Sequence, residues 1–331
     1  MKKENIARRT LIGGQALFEG IMMRGVGKAA MAVRKKDGEI SIERWDTKKD
    51  RWYQKIPFIR GNFNFIMQMI DGYKYMTRSV ELSGMMEDDE QAEEMSKFES
   101  WLNEKLGDKL FGVLMTAGMI TGVAVALLLF MFVPTWMFTG LNLLFGGLNI
   151  QRFQSLFEGV IKITIFIAYL WGTSKIADIK RMYEYHGAEH KTIAAYEANE
   201  ELVVENVRKH IRFHRRCGTS FIFLTLAISI LVYSAFPINS GMFVDAFNIA
   251  RGLADLIRVV FKILLLPVTV GISYEIIRIA GRHDNVFTRV VSAPGLAIQR
   301  LTTKEPDDSQ IEIAIAAIKP VLPEKDGEDR W

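Results

Sequence analysis

Residues 110–151 read LFGVLMTAGMITGVAVALLLFMFVPTWMFTGLNLLFGGLNIQ and contain no charged side chain. A second uncharged stretch, GTSFIFLTLAISILVYSAFPINSGMFV, occupies residues 218–244. A run of about 18 or more apolar residues is long enough to cross a bilayer as a helix. The whole chain of 331 residues has an ordinary composition, with 49% apolar and 24% charged residues. The distribution of these residues nevertheless excludes a purely soluble protein.

Four membrane-spanning helices are predicted, at about residues 113–133, 157–176, 219–236 and 259–279. The first is expected to end at Pro134, and the uncharged residues 136–148 favour an interfacial or re-entrant segment, with a fifth span as the alternative. The second and fourth spans contain Lys162 and Lys262. Each lysine lies a few residues from the end of its span, so its ammonium is expected to extend to the interface.

Basic residues predict the orientation, because loops rich in Lys and Arg stay in the cytoplasm. The loop between the second and third spans contains Lys175, Lys180, Arg181, Lys191, Arg208, Lys209, Arg212, Arg215 and Arg216. The two other connections, counted over residues 134–157 and 237–257, contain one basic residue each, Arg152 and Arg251. The N-terminal stretch lacks the apolar segment of a secretory signal peptide. We therefore expect the central loop and both termini to be cytoplasmic.

The expected fold class is mainly α and integral to the membrane, with about four transmembrane helices in two hairpins and a small N-terminal cytoplasmic domain containing a β-hairpin. The predicted parts are an N-terminal region with the hairpin and an interfacial helix (1–83), an acidic linker and amphipathic segment (84–110), a first transmembrane pair (111–176), a cytoplasmic His/Cys loop (177–218), a second transmembrane pair (219–280) and a C-terminal cytoplasmic region (281–331).

Local patterns predict the soluble elements. Residues 29–45 alternate around an Asp37-Gly38 pair, which is typical of a hairpin turn. Residues 57–75 are too polar to span a membrane and favour an interfacial helix, with burial under the hairpin as the alternative. Residues 311–318 are expected to be helical, and the tail after Pro320 is expected to be disordered.

Histidines and the single cysteine concentrate in the central loop, at His186, His190, His210, His214 and Cys217. A helix across the His-x-x-Glu-His motif at 186–190 places His186 and His190 one turn apart on one face, so both can reach one metal ion. His214 and Cys217 can complete a tetrahedral site. The expected cofactor is a divalent metal, and these ligand types favour zinc.

The same residues leave the role of the metal open. Four ligands close the shell and make the metal structural, whereas three leave a position where Glu189 can activate a bound water as general base. Glu197, seven residues after His190, is a further acidic partner on the same helix face. Without a metal, the alternatives are that the loop histidines face anionic lipid headgroups, or that they are buried and hydrogen-bonded beside a free, inert thiol.

Residues 13–25, GGQALFEGIMMRG, are glycine-rich but lack the Lys-Ser/Thr pair of a phosphate-binding loop. Tight turns or close packing are expected there. The alternative is that Glu19 and Arg24 fold against the central loop and support its site.

Four motifs in order carry a resemblance to a known family: IGGQALFEGIMMRG, YHGAEHKTIAAYE, VENVRKHIRFHRRCGTSF and PGLAIQRLTTKEP followed by IEIAIAAI. Together they resemble the YqhQ family, a widespread group of bacterial multipass membrane proteins of unknown function that are often labelled predicted metal-dependent enzymes. The resemblance implies the fold, the topology and a bacterial cytoplasmic (inner) membrane location, but no established reaction. The family often has His-Pro-Arg-Cys where this chain has His214-Arg215-Arg216-Cys217, which retains both candidate ligands.

The favoured function is a structural metal site in a membrane-associated accessory factor, for example in membrane-protein insertion or translocation. Besides the lipid bilayer, translocation or ribosomal components are expected partners of the basic face, and a homo-oligomer is compatible with this function. No sequence-specific nucleic-acid binding is expected, because aromatic stacking platforms are not evident. The alternative is a membrane-embedded metal-dependent hydrolase with Glu189 as its catalytic base. A transporter is less favoured. Transport sites usually contain ionisable residues deep within the spans, and only Lys162, Lys262 and Glu275 come near that description.

Overall fold

The computed structural model describes residues 9–47, 52–84, 105, 110–145, 153–235, 239–283, 285–325 and 327–329. The predicted acidic linker at 87–94 lies outside these residues. The chain divides into two compact units. The α/β unit comprises residues 1–89, 170–223 and 273–331, and the helical unit comprises residues 90–169 and 224–272.

A four-stranded antiparallel sheet forms the centre of the α/β unit. Its strands, in spatial order, are β1 (Gly13–Leu17), β2 (Gly20–Arg24), β3 (Lys28–Arg34) and β4 (Ile40–Asp46). The predicted hairpin is confirmed as β3 and β4, and Gly38 in its turn has φ +88°. The glycine-rich stretch forms β1 and β2, so the sheet is twice as large as the sequence predicts.

The helices, in chain order, are α1 (Ile59–Ser83), α2 (Leu110–Leu127), α3 (Val133–Leu144), α4 (Gln154–Thr173), α5 (Ala177–Glu197), α6 (Val204–Lys209), α7 (Gly218–Ala235), α8 (Ser240–Phe247), α9 (Arg251–Arg282), α10 (Val286–Thr302) and α11 (Asp308–Ile318). Short 3-10 turns cover Trp52–Lys55 and Lys319–Val321.

The sheet is packed on both faces. One face contributes Ile21 and Met23 to a core that it shares with α5 and α11. The opposite face contributes Met31 and Val33 to a second core, which includes Tyr75 of α1. Strands covered on both faces lose the alternation of apolar and polar residues, which explains why β2 was not recognised from its sequence.

Helix α1 has two apolar faces with different surroundings. Tyr75 and Leu82 pack under the sheet, as the burial alternative requires. Ile66, Met69 and Ile70 are exposed, as an interfacial position requires. The two interpretations of residues 57–75 are therefore compatible.

The C-terminal segment completes the α/β unit. The predicted helix at residues 311–318 is confirmed as part of α11, which begins with a capping box between Asp307 and Gln310. The prediction of disorder after Pro320 is wrong for the described residues. Asp329 is 1% exposed, its carbonyl accepts from the N–H of Leu11 at 2.6 Å, and its carboxylate accepts from Tyr196 at 3.0 Å.

Four helices are long and apolar enough to cross a membrane, namely Gly112–Leu144, Gln154–Thr173, Gly218–Ala235 and Arg251–Arg282. They correspond to the four predicted spans. The prediction that the first span ends at Pro134 is wrong, because the helix continues to Leu144. Residues 136–144 of the predicted interfacial or re-entrant segment belong to this helix, and residues 146–148 lie outside the described ones. A π-helical turn at Leu128–Phe132 joins α2 to α3 in one continuous helix, and Pro134 lies two residues after this turn.

The two lysines within the spans do not extend to an interface. Lys162 is 4% exposed and Lys262 is 5% exposed. Lys262 instead forms an ion pair with Glu158, which also pairs with Arg258. Glu158 and Arg258 were not predicted to be buried, because each lies near the predicted end of its helix, where a charge is ordinarily solvated.

Candidate functional site

Helix α5 carries the His-x-x-Glu-His motif in its middle. His186 and His190 lie one turn apart, with ring centroids separated by 4.5 Å. Cys217, the residue before α7, places its Sγ 3.2 Å from Nε2 of His186. One potential ligand atom from each of these three residues lies within 4.8 Å of the others. We call His186, His190 and Cys217 the His/Cys cluster.

Two backbone carbonyls hold the imidazoles. Nδ1 of His186 lies 2.8 Å from the carbonyl oxygen of Thr302, and Nδ1 of His190 lies 2.6 Å from that of Arg212. A carbonyl oxygen can only accept, so each Nδ1 carries a proton and each Nε2 is the nitrogen left for a ligand. Metal-binding histidines are typically oriented in this way.

The first of these anchors depends on a close approach at Gly187. A Cβ at this position would collide with the carbonyl oxygen of Lys304. The N–H of Lys304 in turn donates to the carbonyl of Tyr183 at 2.8 Å. Because Gly187 has no side chain, α5 can pack directly against this segment, which brings Thr302 to His186.

Glu189 is buried beside the cluster, with 5% of its surface exposed. Burial raises the pKa of its carboxyl group, although the nearby His190 and His186 oppose that shift. Gly14 of β1 donates a backbone hydrogen bond to it. A Cβ on Gly14 would lie 3.0 Å from Cδ of Glu189. The glycine-rich motif therefore covers the catalytic candidate directly, a contact that sequence analysis did not predict.

Electrostatics favour a thiolate at Cys217. Burial alone would raise the pKa of the thiol, but the imidazoles of His186 and His190 outweigh burial and bring that pKa well below its ordinary value. Burial lowers the pKa of His186, but the adjacent thiolate outweighs it and raises the pKa to about 9. The thiolate thus stabilises a cation at this point, and thiolate is the form of cysteine that binds metals.

His214 lies next to the cluster but faces other partners. Its ring centroid is 5.5 Å from that of His190. Its Nε2 lies 3.8 Å from a carboxylate oxygen of Glu197 and 3.3 Å from Arg216. Burial, followed by the nearby positive charges, lowers the pKa of His214 despite its hydrogen bond with Glu197. Its role as a fourth ligand stays a prediction.

Gln299 of α10 fixes the backbone of His214. The side-chain oxygen of Gln299 accepts from the N–H of His214 at 2.8 Å, and its amide nitrogen donates to the carbonyl of His214 at 2.7 Å. Gln299 and Thr302 both lie in the motif PGLAIQRLTTKEP, but neither was predicted to belong to the site. Their joint presence in that motif was the available signal.

The remaining candidates lie away from the cluster. Glu19 does fold against the central loop, because it binds Arg181 and Tyr185 of α5, the latter at 3.0 Å. Arg24 is exposed at the end of β2. His210 pairs with Glu200 at 3.0 Å. Glu19 thus supports the helix that carries the site, whereas Arg24 does not reach it.

Comparison with known proteins identifies the family. The family model described as "Protein of unknown function (DUF1385)" matches residues 56–324. The chain belongs to this family. The "Uncharacterized protein YqhQ" of Bacillus subtilis (strain 168) is 32% identical to it over 315 residues, which cover 94% of this chain and 92% of that protein. The resemblance to the YqhQ family is confirmed, and the DUF1385 match includes the whole His/Cys cluster. No solved structure matches the chain.

Proposed function

We propose that this chain is a membrane-embedded, metal-dependent hydrolase in which His186, His190 and Cys217 bind one divalent metal ion, with zinc favoured by the ligand types. The observation that carries the proposal is a cluster of three ligands with a buried glutamate beside it. Structural zinc sites use four protein ligands, whereas catalytic sites use three and keep a position for water or substrate. His214, which would close the shell, faces Glu197 and Arg216 instead.

The donor set fits zinc. Zinc–nitrogen and zinc–sulfur bonds of about 2.0 and 2.3 Å place neighbouring ligand atoms roughly 3.5 Å apart. The 3.2 Å between Sγ of Cys217 and Nε2 of His186 is close to that separation. A zinc ion at this position would supply Lewis acidity for hydrolysis. Glu189, with its raised pKa, would serve as the general base.

The metal content of the purified full-length protein, measured by mass spectrometry, tests this proposal. We expect one zinc ion per chain in the native protein, a large loss in His190→Ala and Cys217→Ser, and no loss in His214→Ala. Native protein without stoichiometric metal would refute the site. An equal loss in His214→Ala would indicate a closed, structural centre and contradict the open position.

We further propose that the four apolar helices cross the bacterial cytoplasmic membrane and that the α/β unit is cytoplasmic. Ile21, Tyr185 and Ile313 come from three separate segments and share one core. Those segments must therefore lie on the same side of the membrane, so the chain must cross the membrane an even number of times between one segment and the next. The continuous helix Gly112–Leu144 supplies one crossing, and four spans satisfy the requirement whereas five do not. The basic central loop favours the cytoplasmic side.

Labelling with a membrane-impermeant maleimide tests this topology in a Cys217→Ser background. We expect a cysteine introduced at Asp245 to react in intact cells and one at Lys325 to react only after lysis, since both positions are exposed. Reaction at Lys325 in intact cells would contradict the proposed orientation.

The predicted accessory role, with translocation or ribosomal partners, was based on the positive charge of the central loop. Several of the basic residues in that loop form ion pairs within the α/β unit. Arg208 pairs with Asp308, Arg212 with Glu305, and Arg181 with Glu19. Paired charges attract an external polyanion less strongly, so the hydrolase is the function that the geometry favours, and the partners stay a prediction.

A further inference from the structure

The helical unit contains a charged cluster that the proposed function does not use. Glu158 and Lys162 lie one turn apart on α4, and Arg258 and Lys262 lie one turn apart on α9. All four are buried, with 1% to 5% of each residue exposed. We call these four residues the buried basic cluster. Ionised groups are rarely buried in an apolar helical bundle unless they are paired, so their presence requires an explanation.

Glu158 is fully occupied as an acceptor. Its Oε1 accepts from Thr135 at 3.2 Å and from Gln154 at 2.9 Å. Arg258 donates to both carboxylate oxygens, one at 3.1 Å, and Lys262 donates to Oε2. A carboxylate has about four acceptor positions, so Glu158 has none left for a further cation.

Lys162 consequently has no anionic partner within ion-pair distance among the described residues. Its ammonium contacts Sδ of Met131 at 4.0 Å and lies 5.6 Å from the ring centroid of Tyr233. Lys262 lies at the same distance from the same ring. The hydroxyl of Tyr233 donates to the carbonyl of Lys262 at 2.9 Å, so its proton is already committed. An ammonium group with three donors is left with a sulfur atom and an aromatic face.

The cluster therefore has three cationic side chains around one carboxylate, which is a formal excess of two positive charges. Both helices also begin at this end of the cluster, α4 at Gln154 and α9 at Arg251. The positive ends of the two helix dipoles add to the potential near these residues. An anion of one or two negative charges would balance this excess.

We infer that the buried basic cluster binds a phosphate oxyanion between Lys162 and the Arg258–Lys262 pair. Arginine and lysine are the side chains that proteins use for phosphate, the first through a planar fork and the second as a point charge. Lys262 is about three turns from the start of α9, so a phosphate entering from that end would not cross the middle of the helix. The phosphate belongs either to an anionic phospholipid or to free inorganic phosphate.

Thermal unfolding of the delipidated full-length protein tests this site. In detergent, inorganic phosphate is titrated at constant ionic strength, with gluconate as the balancing anion. In nanodiscs, phosphatidylcholine is compared with phosphatidylcholine containing phosphatidylglycerol. Stabilisation by phosphate in detergent assigns the free anion, whereas stabilisation confined to phosphatidylglycerol assigns the lipid headgroup.

Lys162→Met removes the charge and retains the length of the side chain. We expect it to weaken the stabilising ligand by about tenfold or more, equivalent to about 1.4 kcal/mol, and to unfold at a higher temperature than the native protein when no anion is present. Lys175→Met, at an exposed lysine over the ring of Trp171, is the matched control and should respond like the native protein. Lys162→Arg, which keeps the charge, should retain binding and serves if Lys162→Met does not fold.

Two results would overturn the inference. One is a native protein that neither phosphate nor phosphatidylglycerol stabilises. The other is an equal response in Lys162→Met. Because neither measurement involves zinc or hydrolysis, failure here is distinguishable from failure of the proposed function.

Discussion

The substitution Gly187→Ala tests whether close packing of α5 outweighs the helix propensity of the residue at position 187. An alanine in a helix is favoured over glycine by about 1 kcal/mol. At position 187 its Cβ would collide with the carbonyl oxygen of Lys304, and it would lie 3.4 Å from Cδ of Pro306. Overpacking against a backbone typically costs about 1–3 kcal/mol. We therefore expect a net loss of up to about 2 kcal/mol in the free energy of unfolding.

The same collision should weaken zinc binding at the proposed metal site. Relief of the contact moves the segment that contains Lys304 away from α5, and Thr302 with it, so His186 loses its anchor. Loss of such an outer contact typically reduces metal affinity by about 10- to 100-fold. Thermal unfolding and competition for zinc with a chelator measure the two effects.

Gly172→Ala is the matched control for this substitution. Gly172 is also helical, but its added Cβ would meet nothing within 4 Å. It should unfold at or slightly above the native temperature and retain native zinc affinity. The argument is refuted if Gly187→Ala is as stable as Gly172→Ala and binds zinc equally well.

Two further predictions concern the acidic side chains of α5. Glu189→Gln should retain zinc yet fail to complement a deletion strain, because an amide cannot accept the proton; complementation at the native level would contradict a catalytic role. Burial raises the pKa of Glu197, but its hydrogen bond with His214 and the charge of Arg216 outweigh burial and hold that pKa below 4.5. The ion pair between Glu197 and Arg216 therefore stabilises the fold at pH values above the ordinary pKa of a glutamate. This stabilisation is lost as the pH falls through the lowered pKa of Glu197. Between about pH 5.5 and 3, the unfolding temperature should fall more steeply in the native protein than in Glu197→Gln, and parallel profiles would refute this.

Patterns that extend over many residues were predictable from sequence. Long apolar runs identified all four candidate spans, because hydropathy sums over the whole helix. The spacing of His186 and His190 identified a shared helix face, since that spacing follows from helix geometry alone. The Asp37-Gly38 turn was similarly local. Each of these features depends on neighbours within one element.

Features that depend on distant segments were not predictable. The orientation of His214 follows from Glu197, Arg216 and Gln299, which belong to different elements. The burial of Lys162 depends on helices that are remote in sequence, and a lone lysine near a helix end gives no sign of them. Strand β2, covered on both faces, lacks the alternation by which a strand is usually recognised.

The position of α11 in the chain determines when the α/β unit can be completed. Ile311, Ile313 and Ile318 are fully buried against the sheet and α5. The ribosome synthesises them only after all four apolar helices. Until then the first core of the nascent sheet lacks its cover, and exposed apolar surface of this kind is prone to aggregation. A chain stalled before residue 308 would therefore carry all three residues of the His/Cys cluster on an unfinished scaffold, so the surroundings of the cluster are completed only after the four apolar helices have been synthesised.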